Sequence, residues 1–248
     1  MAQAARREKF ERVLELVPRL PRMRRTVSAD LSSQGLGRDR VLALVLRLLD
    51  TGRLRGGATA YEEENGSHGA VTLLGQHVRV HRTSVELRFP AKGGDVAELE
   101  LRDPVVVRAL SALRRACRRD EHVMRWRSSD GWHDLTGDAV SSRFKELTDD
   151  RFTVKDLRTL AATVTAAVSL ADSARRGADR GEQTALEDAA DSLGDTVEVA
   201  RTSYVDPRLL DAYRDGRTVR PIRGTDPNRS ERIRRRIELE LVHLLRDG

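Results

Sequence analysis

Between residues 77 and 101 the apolar side chains recur every second residue, whereas most of the remaining chain follows the period of a helix. HVRV (77–80), SVELRFP (84–90) and VAELEL (96–101) alternate apolar with polar residues, the pattern of strands buried on one face. Turns at 81–83 and 92–95 separate them. The spacing therefore predicts a small antiparallel sheet with Lys92 at the tip of its second hairpin. A chain that switches period once and then returns to helices is α+β, predominantly α-helical.

Residues 6–21 form a basic amphipathic helix: Phe10, Val13, Leu14, Leu16 and Val17 recur at near-helical spacing among Arg6, Arg7, Lys9 and Arg12. Pro21 ends that helix or starts the next. Gly35 to Asp50 is a second helix, with Val41, Leu42, Leu44, Val45, Leu48 and Leu49 on one face and Thr51-Gly52 as its stop. Residues 53–69 hold a Gly-Gly turn, a short acidic helix and an Asn-Gly turn. Asp103-Pro104 opens a helix running through Arg118. Residues 123–128 read as a short strand and Ala139 to Leu147 as a helix. Thr153 to Ala174 is long, Ala-rich and apolar around much of its circumference, so it should be buried. An acidic helix from Ala178 to Leu193 ends at Gly194, and Pro207 to Arg214 is a short helix. Residues 216–230 read as a linker to a helix over Asn228 to Arg246, with Arg232, Arg234, Arg235 and Arg236 near its start. We expect one domain over 1–215, made of a helical part (6–75), the sheet (76–102) and a second helical part (103–215), followed by a linker and basic helix over 216–248.

The 248 residues can bury a sizeable core, and a hydrophobic fraction of 39% with 34% charged residues is that of a soluble globular chain. A formal charge of +6 and a pI near 10.0 favour an anionic partner, with nucleic acid first. The single cysteine, Cys117, excludes an internal disulfide and suits a reducing cytoplasm. It falls in a helical pattern, where core packing is its expected role. No apolar run is long enough to span a membrane, and the first residues lack a signal-peptide core. Cysteines and histidines are not grouped at metal-ligand spacing, and there is no phosphate-binding GxxxxGKS/T loop.

Two stretches carry residues suited to chemistry: FTVKDLRT (152–159) and LGDTVEVARTSYVDPR (193–208). Tyr204 stands just outside a helical pattern, beside Arg201, Thr202 and Ser203, and Asp206-Pro207 starts the next helix. From these residues alone, its phenol either reaches solvent or a ligand, or packs at a helix end. Arg158 lies on a largely apolar helix, and a buried arginine wants an anionic partner. Arg55 reads as a surface arginine after a helix end, and Lys92 as an exposed hairpin lysine of the kind common on sheet edges.

Taken together, the two stretches resemble the type IB DNA topoisomerases in their short poxvirus and bacterial form. In that family a Lys-Asp-Leu/Phe-Arg-Thr segment carries a catalytic arginine, and a Ser-Tyr-Ile/Val-Asp-Pro-Arg segment carries the tyrosine nucleophile. The similarity runs from roughly Glu8 to Arg214. It implies an enzyme that cuts one DNA strand by attack of a tyrosine on a phosphodiester, leaving a 3′-phosphotyrosyl bond and a free 5′-hydroxyl. The duplex swivels and the hydroxyl reverses the reaction. The bond energy stays in the covalent link, so no cofactor, ATP or metal is expected. The resemblance assigns Tyr204 as nucleophile and Arg158 as a phosphate-gripping arginine with forked hydrogen bonds. LRGGATAYEEENGSHGAVTL (54–73) matches the segment of the family's first arginine, which assigns Arg55 and puts Tyr61 where the family has a tyrosine on a DNA phosphate. LRFPAKGGD (87–95) matches the family's lysine hairpin and assigns Lys92 as the general acid for the leaving 5′-oxygen, with Arg55 a second candidate for that task. Lys155 and Arg201 are expected DNA contacts. The implied partner is double-stranded DNA, bound by a monomer in the nucleoid region of the cytoplasm.

Two departures stand out. The family has a histidine or asparagine nine positions before the tyrosine, donating to a nonbridging phosphate oxygen; here that position is Asp195. A carboxylate only accepts hydrogen bonds and repels a phosphate. One lost hydrogen bond to a charged acceptor costs roughly 1.5–3 kcal/mol, about one to two decades in rate. We expect Asp195 to be protonated against the phosphate or turned away as a cap for the following turn, with the enzyme slowed. The family also begins with a small β-rich lobe that nothing before Arg6 can form, so weaker and more salt-sensitive binding is expected. Two other readings compete. Tyrosine recombinases share the fold and nucleophile, but carry His-x-x-Arg where this chain has Lys155-x-x-Arg158. A non-catalytic DNA-binding remnant fits Asp195, yet has no reason to keep Tyr204, Arg158, Arg55 and Lys92 together.

Overall fold

The structure, a computed structural model, describes residues 2–57, 67–91, 94–221 and 230–246. The chain divides into two compact units that interleave in sequence. Met1–Arg19, Thr51–Arg53 and Lys155–Gly248 form the first, and Leu20–Asp50 with Leu54–Val154 form the second.

In the second unit, α2 (Leu20–Ser32) buries Leu20, Met23, Val27 and Leu31 at spacings of three and four residues. Pro21 is the second residue of this helix, so it starts a helix rather than ending one. Arg24 is buried on the same face and donates Nε and Nη2 to the two carboxylate oxygens of buried Asp50, at 2.9 and 3.0 Å. α3 (Arg38–Asp50) is buried beyond the one face expected, because Ala43 and Leu46 are as enclosed as Val41 and Leu48. Its two interior arginines, Arg40 and Arg47, are half-buried.

The alternating stretch forms β1 (Val78–Val80), β2 (Val85–Pro90) and β3 (Val96–Leu101), paired antiparallel in the order β1-β2-β3. Val78 stands opposite Leu87, and Leu87 opposite Leu99. Val78, Val85, Leu87 and Phe89 are buried, while Arg88 and Glu98 pair across the open face at 2.7 Å. The second hairpin closes where the Ala91 N–H donates to the Asp95 carbonyl at 2.8 Å. Lys92, expected at its tip, lies outside the described residues, as do Tyr61 and the expected acidic helix.

Asp103 accepts the Val105 N–H at 3.0 Å and caps α4 (Pro104–Arg115), with Pro104 in its first turn. The helix ends before Cys117, which is half-buried in the next turn rather than packed on a helix face. Its thiol faces the carbonyls of Arg118 and Glu121, and burial pushes its pKa up. β4 (Arg125–Ser128) pairs with β5 (Gly131–Asp134), a partner strand that the sequence reading missed. Trp126 stacks on His133 across this hairpin, at 4.4 Å between ring centroids. α5 (Gly137–Leu147) completes the unit.

In the first unit, α1 (Ala2–Leu16) buries the apolar stripe expected of it, from Phe10 to Leu16. α6 (Val154–Arg176) is enclosed on most sides by its alanines, leucines and threonines. α7 (Gly181–Leu193) buries Ala185, Leu186, Ala189, Ala190 and Leu193. A short helix, Val197–Val199, runs into a wider π-helical turn, Ala200–Tyr204. α8 (Pro207–Arg214) packs on α9 (Glu231–Arg246). Arg234, near the start of the basic helix, is buried and pairs with Glu238 one turn on, at 3.1 Å. No helix of the described residues is long and apolar enough to cross a membrane.

Candidate active site

Arg158 sits in the second turn of α6, only 4% exposed. Three acceptors fix its guanidinium. Nη1 donates to the Gly52 carbonyl at 2.7 Å, and Nη2 donates to the Leu193 carbonyl at 2.5 Å and to Asp195 Oδ2 at 2.7 Å. Its Nε–H is buried and has no partner among the described residues. A buried donor left unsatisfied is costly and calls for an explanation. Each anchor has a local cause in the sequence. Gly52 turns the chain with φ +75°, and a Cβ there would stand 2.3 Å from the Ala161 Cβ, so no other residue brings that carbonyl so close to α6. Gly194 ends α7 in the left-handed conformation (φ 60°), and the Asp195 N–H bonds back to the Ala190 carbonyl at 3.1 Å. That reversal delivers the Asp195 carboxylate to Arg158.

Asp195 is therefore not the cap of the following turn. Thr196 is, accepting the Val199 N–H at 3.2 Å. The anionic partner that a buried arginine demands is supplied from within the chain, by the residue standing where the family has histidine or asparagine.

Tyr204 ends the π-helical turn, in which the Val205 N–H reaches back to the Ala200 carbonyl at 2.8 Å. Such widened turns recur at functional positions. The Thr163 hydroxyl, on α6, donates to the Tyr204 carbonyl at 3.0 Å and ties the turn to the helix that bears Arg158. Tyr204 is 8% exposed, so most of its side chain is enclosed. Two cations lie over the ring: Arg158 Cζ at 5.4 Å and Lys9 Nζ at 5.5 Å from its centroid. Asp206-Pro207-Arg208 is structural. Buried Asp206 caps α8 through the Arg208 N–H at 3.0 Å and pairs with the Arg208 side chain at 2.7 Å. That pairing, together with Glu11, raises the Arg208 pKa.

Tyr204, Arg158 and Asp195 thus meet in one unit. Lys155 and Arg201 are exposed near them in sequence. Arg55 belongs to the other unit, half-buried, with its carbonyl accepting the Ala70 N–H at 2.8 Å and that of Gly56 accepting the Val71 N–H at 3.0 Å. In the sequence, the cations of α1 show only as a basic face. In the structure Arg12 donates two bonds to Asp156, at 3.2 and 2.9 Å, and Arg208 pairs with Glu11.

A family model of the eukaryotic DNA topoisomerase I catalytic core matches residues 1–202. That stretch takes in Arg55, Lys92, Arg158 and Asp195 and ends just ahead of Tyr204. The chain is also similar to a DNA topoisomerase 1B of Acanthamoeba polyphaga mimivirus, with 23% identity over 225 residues that cover 86% of this chain. It spans 66% of the length of that relative. With the family match extending over most of the chain, and with a helical fold carrying a small antiparallel sheet, the protein belongs to the family of the eukaryotic DNA topoisomerase I catalytic core.

Proposed function

We propose that the protein relaxes supercoiled DNA by a type IB reaction, with Tyr204 as nucleophile, through a 3′-phosphotyrosyl intermediate and without ATP or metal. The observation that carries this reading is Arg158: a buried guanidinium held on two backbone carbonyls, over the ring of Tyr204, with one N–H that has no partner among the described residues. A phosphate oxygen seated there would take up that donor. As the phenol attacks, charge builds on the phosphorane oxygens, and a preset guanidinium stabilises it without reorganising. The phenol proton must leave on attack and the 5′-oxygen needs a proton on departure. Lys92 is our candidate for the second task, with Arg55 as a further phosphate ligand. Tyr61, Lys155 and Arg201 are proposed to hold the DNA backbone. The bond to Tyr204 keeps the energy of the phosphodiester, so rejoining needs no external source.

The Asp195–Arg158 pair favours a second reading, a DNA-binding protein whose cleavage is impaired, because the carboxylate occupies an arginine needed by the phosphate. Relaxation of a negatively supercoiled plasmid in EDTA, without ATP and at low salt, separates the two. The parent is expected to relax the plasmid and Tyr204→Phe to leave it supercoiled. A parent that binds DNA in a salt-dependent way but relaxes nothing would support the impaired reading.

A further inference from the structure

Helix α1 is joined to the tyrosine turn by charged donors as well as by apolar packing. Arg6 Nη2 donates to the Arg201 carbonyl at 2.9 Å, and Lys9 Nζ donates to the Ser203 carbonyl. Both carbonyls fall in the last turn of a helix, where downstream N–H groups run out. The chain becomes extended at Val205, so no continuing helix can supply them. The Lys9 ammonium that caps Ser203 also lies over the Tyr204 ring at 5.5 Å and over the Phe10 ring at 5.2 Å. One turn further along, α1 is braced against the arginine segment through the bidentate pair of Arg12 with Asp156. One helix therefore touches both the segment that carries Arg158 and the segment that carries Tyr204.

We infer that Lys9 is a positioning residue for Tyr204: its ammonium, anchored on the Ser203 carbonyl, fixes the tyrosine turn and the ring orientation that aims the phenol oxygen. The inference rests on Tyr204 being the nucleophile. Thr163 holds the backbone of the turn, while the Lys9 and Arg158 cations lie against the ring itself. A ring free to rotate spends less time in line with the phosphorus, and small misplacements of a reacting group cost large factors in rate.

The clamp also has a pH range. Burial lowers the Lys9 pKa, and Lys155 on α6 adds to this, as do Arg6 and Arg12 on its own helix, against the opposing pull of Asp156; the result is about 8. Arg158 faces the same ring from α6. Lys9 is therefore charged at neutral pH and discharges as pH rises through about 8. A neutral amine is a weaker donor to Ser203 and no cation over the ring.

The test is single-turnover covalent attachment to a nicked duplex that traps the phosphotyrosyl adduct. Parent, Lys9→Met, Lys9→Arg and Tyr204→Phe would be compared, with duplex affinity and melting temperature measured beside each rate. At neutral pH Lys9→Met is expected to attach about tenfold to a hundredfold more slowly, with unchanged affinity and melting. Lys9→Arg should keep most of the rate, and its rate relative to the parent should climb as pH passes about 8, because a guanidinium keeps its charge. Attachment by Lys9→Met at the parental rate would overturn the inference and leave the nucleophile assignment standing. A Lys9→Arg to parent ratio that falls above that pH would also overturn it, since the neutral amine would then be the working form. A parent that forms no adduct, like Tyr204→Phe, would remove the nucleophile reading and the Lys9 inference together.

Discussion

Asp195 occupies the guanidinium of Arg158 that the proposed reaction assigns to a phosphate. The carboxylate stands 2.7 Å from Nη2, with both side chains largely removed from solvent. A buried arginine without a counter-ion is strongly destabilising, so the pair keeps the empty site stable. In the proposed reaction the same pair would work against cleavage, because the phosphate would have to share the guanidinium with a like charge. Asp195→Asn retains an oxygen that can accept from Arg158 and adds a donor for a phosphate oxygen. We expect it to attach to DNA about tenfold faster than the parent, in line with one gained hydrogen bond to a charged acceptor. Quenched single-turnover assays of the adduct would read this, and an unchanged rate would mean that Asp195 does not compete with the phosphate. Tyr204, Arg158 and the odd residue at 195 were legible as candidates only through the family resemblance of their segments. Their mutual contact was not, because nothing in a one-dimensional pattern says that a residue after Gly194 turns back onto α6.

The elements were legible where their period was clean. The three strands fall within one residue of the alternating stretches, because a sheet with one buried face writes its register into the sequence. α2 went unread, since its arginines dilute the stripe of Leu20, Met23, Val27 and Leu31. β5 was missed although Asp130-Gly131 followed by Trp132 is a usable hairpin signal. α3 looked amphipathic but is enclosed further round, which depends on what surrounds it and not on its own pattern. The turn after α3 matters for the site. Gly52→Ala would meet both a positive φ and a Cβ contact of 2.3 Å with Ala161. We expect a loss of at least about 2 kcal/mol in stability, read as a lower denaturation midpoint at unchanged m-value. Attachment should slow by more than the unfolded fraction explains, because the Gly52 carbonyl anchors Arg158.

For the molecule as a whole, a net charge of +6 points to a polyanion, and the affinity should show it. If the proposed cations Arg55, Lys92, Lys155, Arg158 and Arg201 all reach phosphates, the logarithm of the binding constant should fall with the logarithm of salt concentration at a slope of about −4.5. Titrations of a short duplex at several salt concentrations would measure it, and a slope flatter than about −2 would mean that most of these side chains do not face DNA. The sequence by itself determined the fold class, the sheet and the burial of α6. Each of these follows from side-chain period, whereas the candidate site residues stood out only through the resemblance of their segments to a family. The tertiary structure alone decided what the charges do. It turned Asp195 onto Arg158, set Arg6 and Lys9 of a nominally basic face on the carbonyls of the tyrosine turn, and buried Arg24 and Arg234 against Asp50 and Glu238. The physical reason is range. Apolar patterning reports the environment of a residue along its own element, whereas an ion pair depends on which distant residue the fold brings within about 3 Å, and composition counts the charge without saying where it goes.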